Sequence, residues 1–258
     1  MTIIPITPIQ LALCLVFIIV AAIASILLRL DLQRDLLIGT VRTVVQLLLV
    51  GYVLTIVFEI NNPVLVILLY MWMIFWAAHA IRGRVKEKGV SFFLPTYVAM
   101  TVSYLLITIV VTGLIIRVEP WYKPQYFIPL GGMIIGNSMN SIAIALDRMF
   151  SEFRRQRDEI ELALSFGATA REATSDIVRD SIRAGMIPSI NSLMTVGLVS
   201  LPGMMTGQIL AGADPILAVK YQIIVMLMII GATAVGCILI VFIIQKRCFT
   251  SRDQSILR

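Results

Sequence analysis

The chain has 258 residues, 59% of them hydrophobic and only 14% charged, with a mean hydropathy of +0.95. A soluble domain is closer to half apolar, and its apolar residues are broken up by polar ones. Here they come in long runs, which excludes an ordinary soluble domain. The net charge of +6 follows from where the cations sit between these runs, so it reads as a topology signal and not as nucleic-acid binding.

The first run, residues 9–28, holds only Gln10 and Ser25 as clearly polar positions. That is about the ~20 residues a helix needs to cross a ~30 Å hydrocarbon core. Ala22-Ile23-Ala24 has the look of a signal-peptide cleavage site. However, residues 1–10 carry no positive charge, and the run exceeds the roughly 7–15 residues of a typical signal-peptide core. A retained anchor is expected. Further runs follow at residues 36–58, 63–81, 91–116, 126–147, 186–211 and 216–245. In lipid a backbone must satisfy its own hydrogen bonds, so repeated runs of this length mean helices. The expected fold is all-α: a polytopic transmembrane helix bundle of seven spans, forming one transmembrane domain over residues 1–258.

Charge orients the bundle. One alternate set of connecting segments carries Arg29, Arg34 and Arg42, then Arg82, Arg84, Lys86 and Lys88. It continues with Arg148, Arg154, Arg155, Arg157, Arg171, Arg179 and Arg183, and ends with Lys246, Arg247, Arg252 and Arg258. These are 18 of the 21 Lys and Arg residues; the other set holds only Arg117, Lys123 and Lys220. Positive segments stay cytoplasmic. The N-terminus is therefore expected outside and the C-terminus inside, as in a bacterial inner membrane.

Three spans carry polar residues on one side. In the second, Gly39, Arg42 and Gln46 share a helical face, with Arg42 either snorkelling to headgroups or facing a pathway. In the fifth, Gly132, Gly136, Asn140, Ala143 and Asp147 lie beside Asn137, a pattern that suits close helix packing or a substrate-lining surface. The sixth begins near Pro188 and contains Ser189, Asn191, Ser192 and Thr195. It breaks at Pro202-Gly203 and resumes with Met204, Met205, Gly207 and Gln208. That break is a hinge or gate candidate, or an ordinary helix end with a tight turn.

Between the fifth and sixth spans lies a polar, helical segment of about residues 148–185. A short helix is expected over Glu159–Phe166, stopped by Gly167. Thr169 to Glu172 then reads as a capping box that starts a second helix. Leu162, Ala163 and Phe166 share an apolar face too short to form a core alone. It is either a membrane-surface amphipathic helix or a docking helix for a soluble partner.

These residues carry a resemblance. Glu161-Leu-Ala163, three residues, then Gly167 resembles the Glu-Ala-Ala…Gly coupling segment of ABC-importer permeases. Leu162 replaces the first Ala, and the later Leu-Pro pair is absent at its usual distance. A stronger match runs through Leu162–Thr169, Arg179–Ala184, Thr195–Met205 and Lys220–Gln222, with Gly132-Met133 and Gly136-Asn137 upstream. Together these are similar to the FetB family of ABC permeases, which includes bacterial proteins assigned to iron export and plant aluminium-tolerance relatives. The resemblance implies a homodimeric seven-span permease that works with a separate cytoplasmic ABC ATPase. By the same resemblance Glu161, Leu162, Ala163, Phe166 and Gly167 form the docking segment, and metal export leads among substrates.

Other classes are poorly supported. The sequence has no GxxxxGK[ST], so ATP and Mg are expected on the partner and not on this chain. It has no HExxH or GxSxG, and a single histidine, His79, near a span end. An enzyme is not expected. A secondary transporter is the main alternative class; it usually needs an acid at mid-membrane, whereas Asp31, Asp35, Glu59, Glu119, Asp147 and Asp214 map near span ends. The 13 Met are scattered, and no spaced set of metal ligands stands out, so a metal site stays unknown. An ABC permease for a small organic solute remains the alternative within the class. Cys14, Cys237 and Cys248 make no disulfide framework.

Overall fold

The computed structural model describes residues 5–85, 87 and 89–250. Lys86, Lys88, Arg252 and Arg258 of the basic set lie outside the described residues. Among those described the chain is helical and contains no strand. Among the described residues six helices are long and apolar enough to cross a membrane, the fourth together with its continuation to Ile115: α1 (Pro8–Leu27), α2 (Gln33–Ile60), α3 (Pro63–Arg84), α4 (Phe93–Ile109), α5 (Pro124–Arg155) and α10 (Pro215–Arg247). A π-helical stretch, Val110–Ile115, continues α4. Between α5 and α10 run α6 (Arg157–Ser165), α7 (Ala170–Ala173), α8 (Ser175–Thr195) and α9 (Gly203–Leu210).

The chain divides into two compact units. The first holds α1 and α2. Thr7 and Gln10 form a capping box at the start of α1, with Pro8 in the first turn. Ser25, buried, accepts the Leu32 backbone N–H at 2.9 Å and donates to Gln33 Oε1 at 3.2 Å, which fixes the tight connection. Arg29 and Asp31 take left-handed backbone there.

The second unit holds α3–α8, most of α9, and α10, built around α5. In lipid there is no hydrophobic gain in bringing helices together, so close approach and polar contacts must do it. Both are present. An added Cβ at Gly131 on α5 would fall inside the ring of Tyr70 on α3. One at Gly185 on α8 would lie 2.7 Å from the Ser141 carbonyl oxygen and 2.8 Å from Ala145 Cβ. One at Gly236 on α10 would meet the Tyr104 hydroxyl of α4. Hydrogen bonds link the same helices: Tyr70 with Thr108 at 2.9 Å, Ser138 with Thr233 at 3.0 Å, and Ser141 with Ser189 at 3.3 Å. Such bonds average about 0.6 kcal/mol in membrane helices, so the backbone fit carries more of the packing.

Two predicted elements have different limits. The fifth apolar run was expected over 126–147, yet α5 continues to Arg155. Its last turns are held by Glu152, which pairs with Arg148 at 3.0 Å and Arg155 at 2.6 Å and accepts from the Gln156 amide at 2.8 Å. The stretch 186–211 is not one helix. α8 starts eleven residues earlier, at Ser175, because Ile177, Val178, Ser181, Gly185 and Ser189 give it a buried face. It ends at Thr195, and α9 begins only at Gly203.

Together α8 and the chain after it follow α10 along its length. Thr174, just before α8, accepts from the Gln245 side chain at 2.7 Å. Ser189 and Ser192 share a cleft with Met226, Ile229 and Ile230. Val196 to Met205 lie against Val219, Gln222 and Ile223. The bundle thus has a basic end, carrying Arg148, Arg154, Arg155, Lys246 and Arg247, and an opposite end at the α8–α9 connection.

Replacing Gly185 by Ala should lower stability by about 1–3 kcal/mol, because a methyl group would press on a backbone carbonyl. Gly231→Ala on α10 has open space at the added Cβ and should be neutral or slightly stabilising. Thermal unfolding of the purified chain in detergent measures both; equal shifts would refute the close-packing role of Gly185.

Candidate functional site

At the basic end the predicted helix–glycine–capped-helix motif is present. The Phe166 N–H donates to the Leu162 and Ala163 carbonyls, the Gly167 N–H to Leu164, and the Ala168 N–H to Ala163. Gly167 sits at φ +92, a left-handed conformation that glycine accepts without a Cβ clash. Thr169 then accepts from the Glu172 backbone while Glu172 accepts from the Thr169 N–H at 2.9 Å and hydroxyl at 2.8 Å. These bonds, the backbone one first, hold the Glu172 carboxyl below its usual pKa.

α6 faces two ways. Ile160 is buried at a small depression shared with Phe153 and Phe249. Leu162 is 58% exposed and Phe166 is 83% exposed. Glu161 forms a surface pair with Arg157 at 2.8 Å, and Ala163 is half-buried. The result is an anchored helix that presents two large apolar side chains outward beside an ion pair.

A second feature lies midway along the unit. Asn137, Asn140, Ser141, Pro188, Ser189 and Ser192 line a cleft of about 100 Å³ between α5, α8 and α10. Its polar groups are short: two amides and three hydroxyls. Asn140 accepts from Arg84, at the end of α3, at 2.5 Å. Asn137 donates to the Met133 carbonyl at 2.8 Å. Gly136 is exposed, and space beside its Cα is open. Gly136, Asn137 and Asn140 therefore form an uncovered polar stripe on α5, opposite its buried face.

The third feature is the connection from Val196 to Pro202. The break begins at Val196 and not at Pro202-Gly203. Gly197 is the residue with left-handed backbone, φ +82, and its N–H donates to the Ser200 carbonyl at 2.9 Å. Pro202 precedes α9, and Gly203 opens it as an ordinary helical residue. The hinge candidate thus keeps Pro202 but shifts its glycine to Gly197. Beside it an apolar cavity of about 350 Å³ is lined by Leu193, Leu201, Met205, Ile223 and Leu227. Gln222 also lines it. That side chain is only 6% exposed, and its Oε1 has no partner among the described residues.

The remaining predicted positions are not gathered here. Arg42 and Gln46 lie on α2 in the other unit and are exposed within it. Thr195 donates to its own helix at Asn191, 2.9 Å. Gln208, on α9, is half-buried with its Oε1 unpartnered. His79 is exposed, its ring against Trp76. Among the described residues no three His, Cys, Asp or Glu cluster as metal ligands. Sequence reasoning counted Arg84 only as a topology charge and Gln222 only as part of a motif. The separation of Arg84 from Asn140 in the chain left no local signal for their contact.

A family model described as "Uncharacterised protein family (UPF0014)" matches residues 8–249. "UPF0014 membrane protein slr1647" of Synechocystis sp. is 39% identical over 231 residues, covering 87% of each chain. "Probable iron export permease protein FetB" of Escherichia coli is 36% identical over 247 residues, covering 96% of this chain and 94% of that one. "Protein ALUMINUM SENSITIVE 3" of Arabidopsis thaliana is 32% identical over 250 residues, covering 94% and 88%. No solved structure matches.

If the α5 stripe borders water, Asn137→Cys and Asn140→Cys should react with a hydrophilic thiol reagent in a Cys14→Ser background. Ser138→Cys, at a buried position, should stay unreacted. Labelling of all three at one rate, followed by mass spectrometry, would remove the stripe as a pathway surface.

Proposed function

The chain belongs to the UPF0014 family, and on that premise we propose that it is the membrane-spanning permease subunit of an ABC-type transporter. It works with a separate cytoplasmic ATPase, which binds ATP and Mg, and exports a metal ion, with iron the leading candidate. The observation that carries the docking role is the exposure of Phe166 and Leu162 on a helix pinned by Ile160, Gly167 and the Thr169–Glu172 capping box. A large exposed phenyl group beside an Arg157–Glu161 pair has the make-up of an interface anchor. Motion of a partner gripping α6 would pass to α8 through the short, bonded link at residues 166–174.

The same reading sets the topology at seven crossings, with the N-terminus outside, the C-terminus cytoplasmic and the basic end facing the cytoplasm. The seventh crossing is the broken one, α8 with α9. Its course beside α10 supports this, because the chain passes from the level of Gln245 at Thr174 to the level of Val219 near Met205. The charge split supports it as well. A two-fold dimer supplies the second half of the transporter, with the Gly136, Asn137 and Asn140 stripe turned toward the shared pathway. The Asn137 amide oxygen and the Ser192 hydroxyl there suit a hard metal ion better than thioethers do. The similarity to the Escherichia coli relative named as a probable iron export permease adds weight to iron.

Phe166→Asp should abolish ATPase capture and reduce ATP-driven metal efflux from inverted vesicles at least tenfold, while the chain keeps its membrane yield and melting temperature. Normal capture and efflux in that variant would reject the docking role. Efflux of iron, measured by mass spectrometry with the cognate ATPase present, tests the substrate; ATP-driven movement of an organic solute without metal would favour the alternative permease class.

Gly197→Ala tests the hinge. Placing a Cβ on left-handed backbone costs about 1–2 kcal/mol. Efflux should fall several-fold with ATPase capture unchanged, since the two sites are at opposite ends of α8. Efflux equal to that of the unaltered chain would leave Val196–Pro202 as a plain turn.

A further inference from the structure

A groove at the basic end is not used by the reading above. Two depressions, about 540 Å³ and about 280 Å³, share Arg171, Phe242 and Gln245 in their walls and so run together along the α7–α8 junction and the last turns of α10. Three cations line them: Arg171, Arg179 and Lys246. Arg179 is held by Asp176 at 3.2 Å, whereas Arg171 and Lys246 have no ion-pair partner among the described residues. Apolar side chains lie toward the membrane: Phe242, one helical turn before Lys246 on the same face of α10, and Val178 and Ile182 on α8.

The floor is preformed. Gln245 is buried and donates to Thr174 at 2.7 Å, which ties the α7–α8 junction to α10. The groove therefore has a fixed shape, cations at its rim and an apolar wall beneath, at the depth where the apolar run of α10 gives way to Lys246 and Arg247. That order of chemistry matches a phospholipid: phosphate outward, acyl chain inward. Basic pockets between membrane helices are the usual seats of anionic headgroups.

We propose that this groove binds an anionic phospholipid, with its phosphate held by Arg171 and Lys246 and an acyl chain against Phe242 and Ile182. The bound lipid clamps α7 onto α10 next to the coupling segment. The inference needs only that the chain is a membrane protein and does not depend on the transport reading.

The test is native mass spectrometry of the full chain released from detergent with phosphatidylglycerol or phosphatidylcholine. The unaltered chain should retain phosphatidylglycerol in preference to phosphatidylcholine. R171A/K246A should lower that retention by roughly tenfold or more. R117A/K123A removes the same charge from segments outside the basic set and should leave it unchanged. Excess inorganic phosphate should fail to displace the lipid. No phosphatidylglycerol preference, as expected if the groove is a protein interface, would overturn the proposal. So would equal loss in both double variants, or displacement by phosphate alone, which would mark a free-phosphate site. Should R171A/K246A not fold, Phe242→Ala takes its place and must lower retention of long-chain phosphatidylglycerol; unchanged retention then overturns it.

Discussion

The contact of Gly185 with the Ser141 carbonyl and Ala145 is the constraint on which the second unit depends. Helices already in an apolar medium gain little from burying more apolar surface. What remains is dispersion at short range, which falls steeply with separation, and polar bonds that water does not contest. A glycine at the crossing lets α8 approach α5 until Ser189 reaches Ser141. Lengthening that distance by a methyl group would break the hydrogen bond and open the cleft that Asn137, Asn140 and Ser192 share. The Gly131–Tyr70 and Gly236–Tyr104 contacts repeat the device on α3 and α4. The spacings of α5 to α3 and α8, and of α4 to α10, are thus set by three missing side chains.

This frame explains how a local event at α6 would be felt deep in the bundle. α8 cannot slide along α5 without leaving the seat of Gly185, and its start is fastened to α10 by Gln245 and Thr174. The α6–α7 link is bonded at nearly every step from Leu162 to Glu172. On the proposed docking role, a push on Phe166 would be passed through this link to the start of α8, and the cleft at Ser189 lies on that same helix. The path from α6 to the cleft is contiguous, and its steps are hydrogen bonds and packed backbone.

Much of this was legible in the sequence, for physical reasons. Apolar runs are long because the bilayer is thick, so α1 to α4 and α10 were visible by length alone. Gly167 and the Thr169–Glu172 box are local signals, and both formed as read. The limits of α8 were not legible from apolar content, because its first half is amphipathic, with Arg179, Asp180 and Arg183 exposed opposite Ile177, Val178 and Ser181. A hydropathy reading sees that segment as polar; only its 3.6-residue spacing marks it as helix. Pro202 drew attention as the visible breaker, while Gly197, whose backbone makes the turn, looked like one more small residue. The Arg84–Asn140 bond joins residues 56 positions apart, and no local pattern announces such a pair.

Buried side-chain oxygens without a partner among the described residues occur at both ends of the second unit, Thr96 Oγ1 one turn into α4 near the Phe92–Phe150 contact and the Gln222 and Gln208 Oε1 atoms at the other end. At the basic end Glu152 is bonded to Arg148, Arg155 and Gln156, and Thr174 is bonded to Gln245. At the other end Gln222 and Gln208 each keep a carbonyl oxygen without a partner, one of them beside a 350 Å³ apolar cavity. An unpaired buried acceptor costs about 1–3 kcal/mol, a cost that the buried Gln222 carries here. In the proposed transporter, alternating access would need one end to hold its form while the other exchanges between packings of similar energy. The glycine-turned break, the cavity and the unpaired amides all fall at the same end, away from α6.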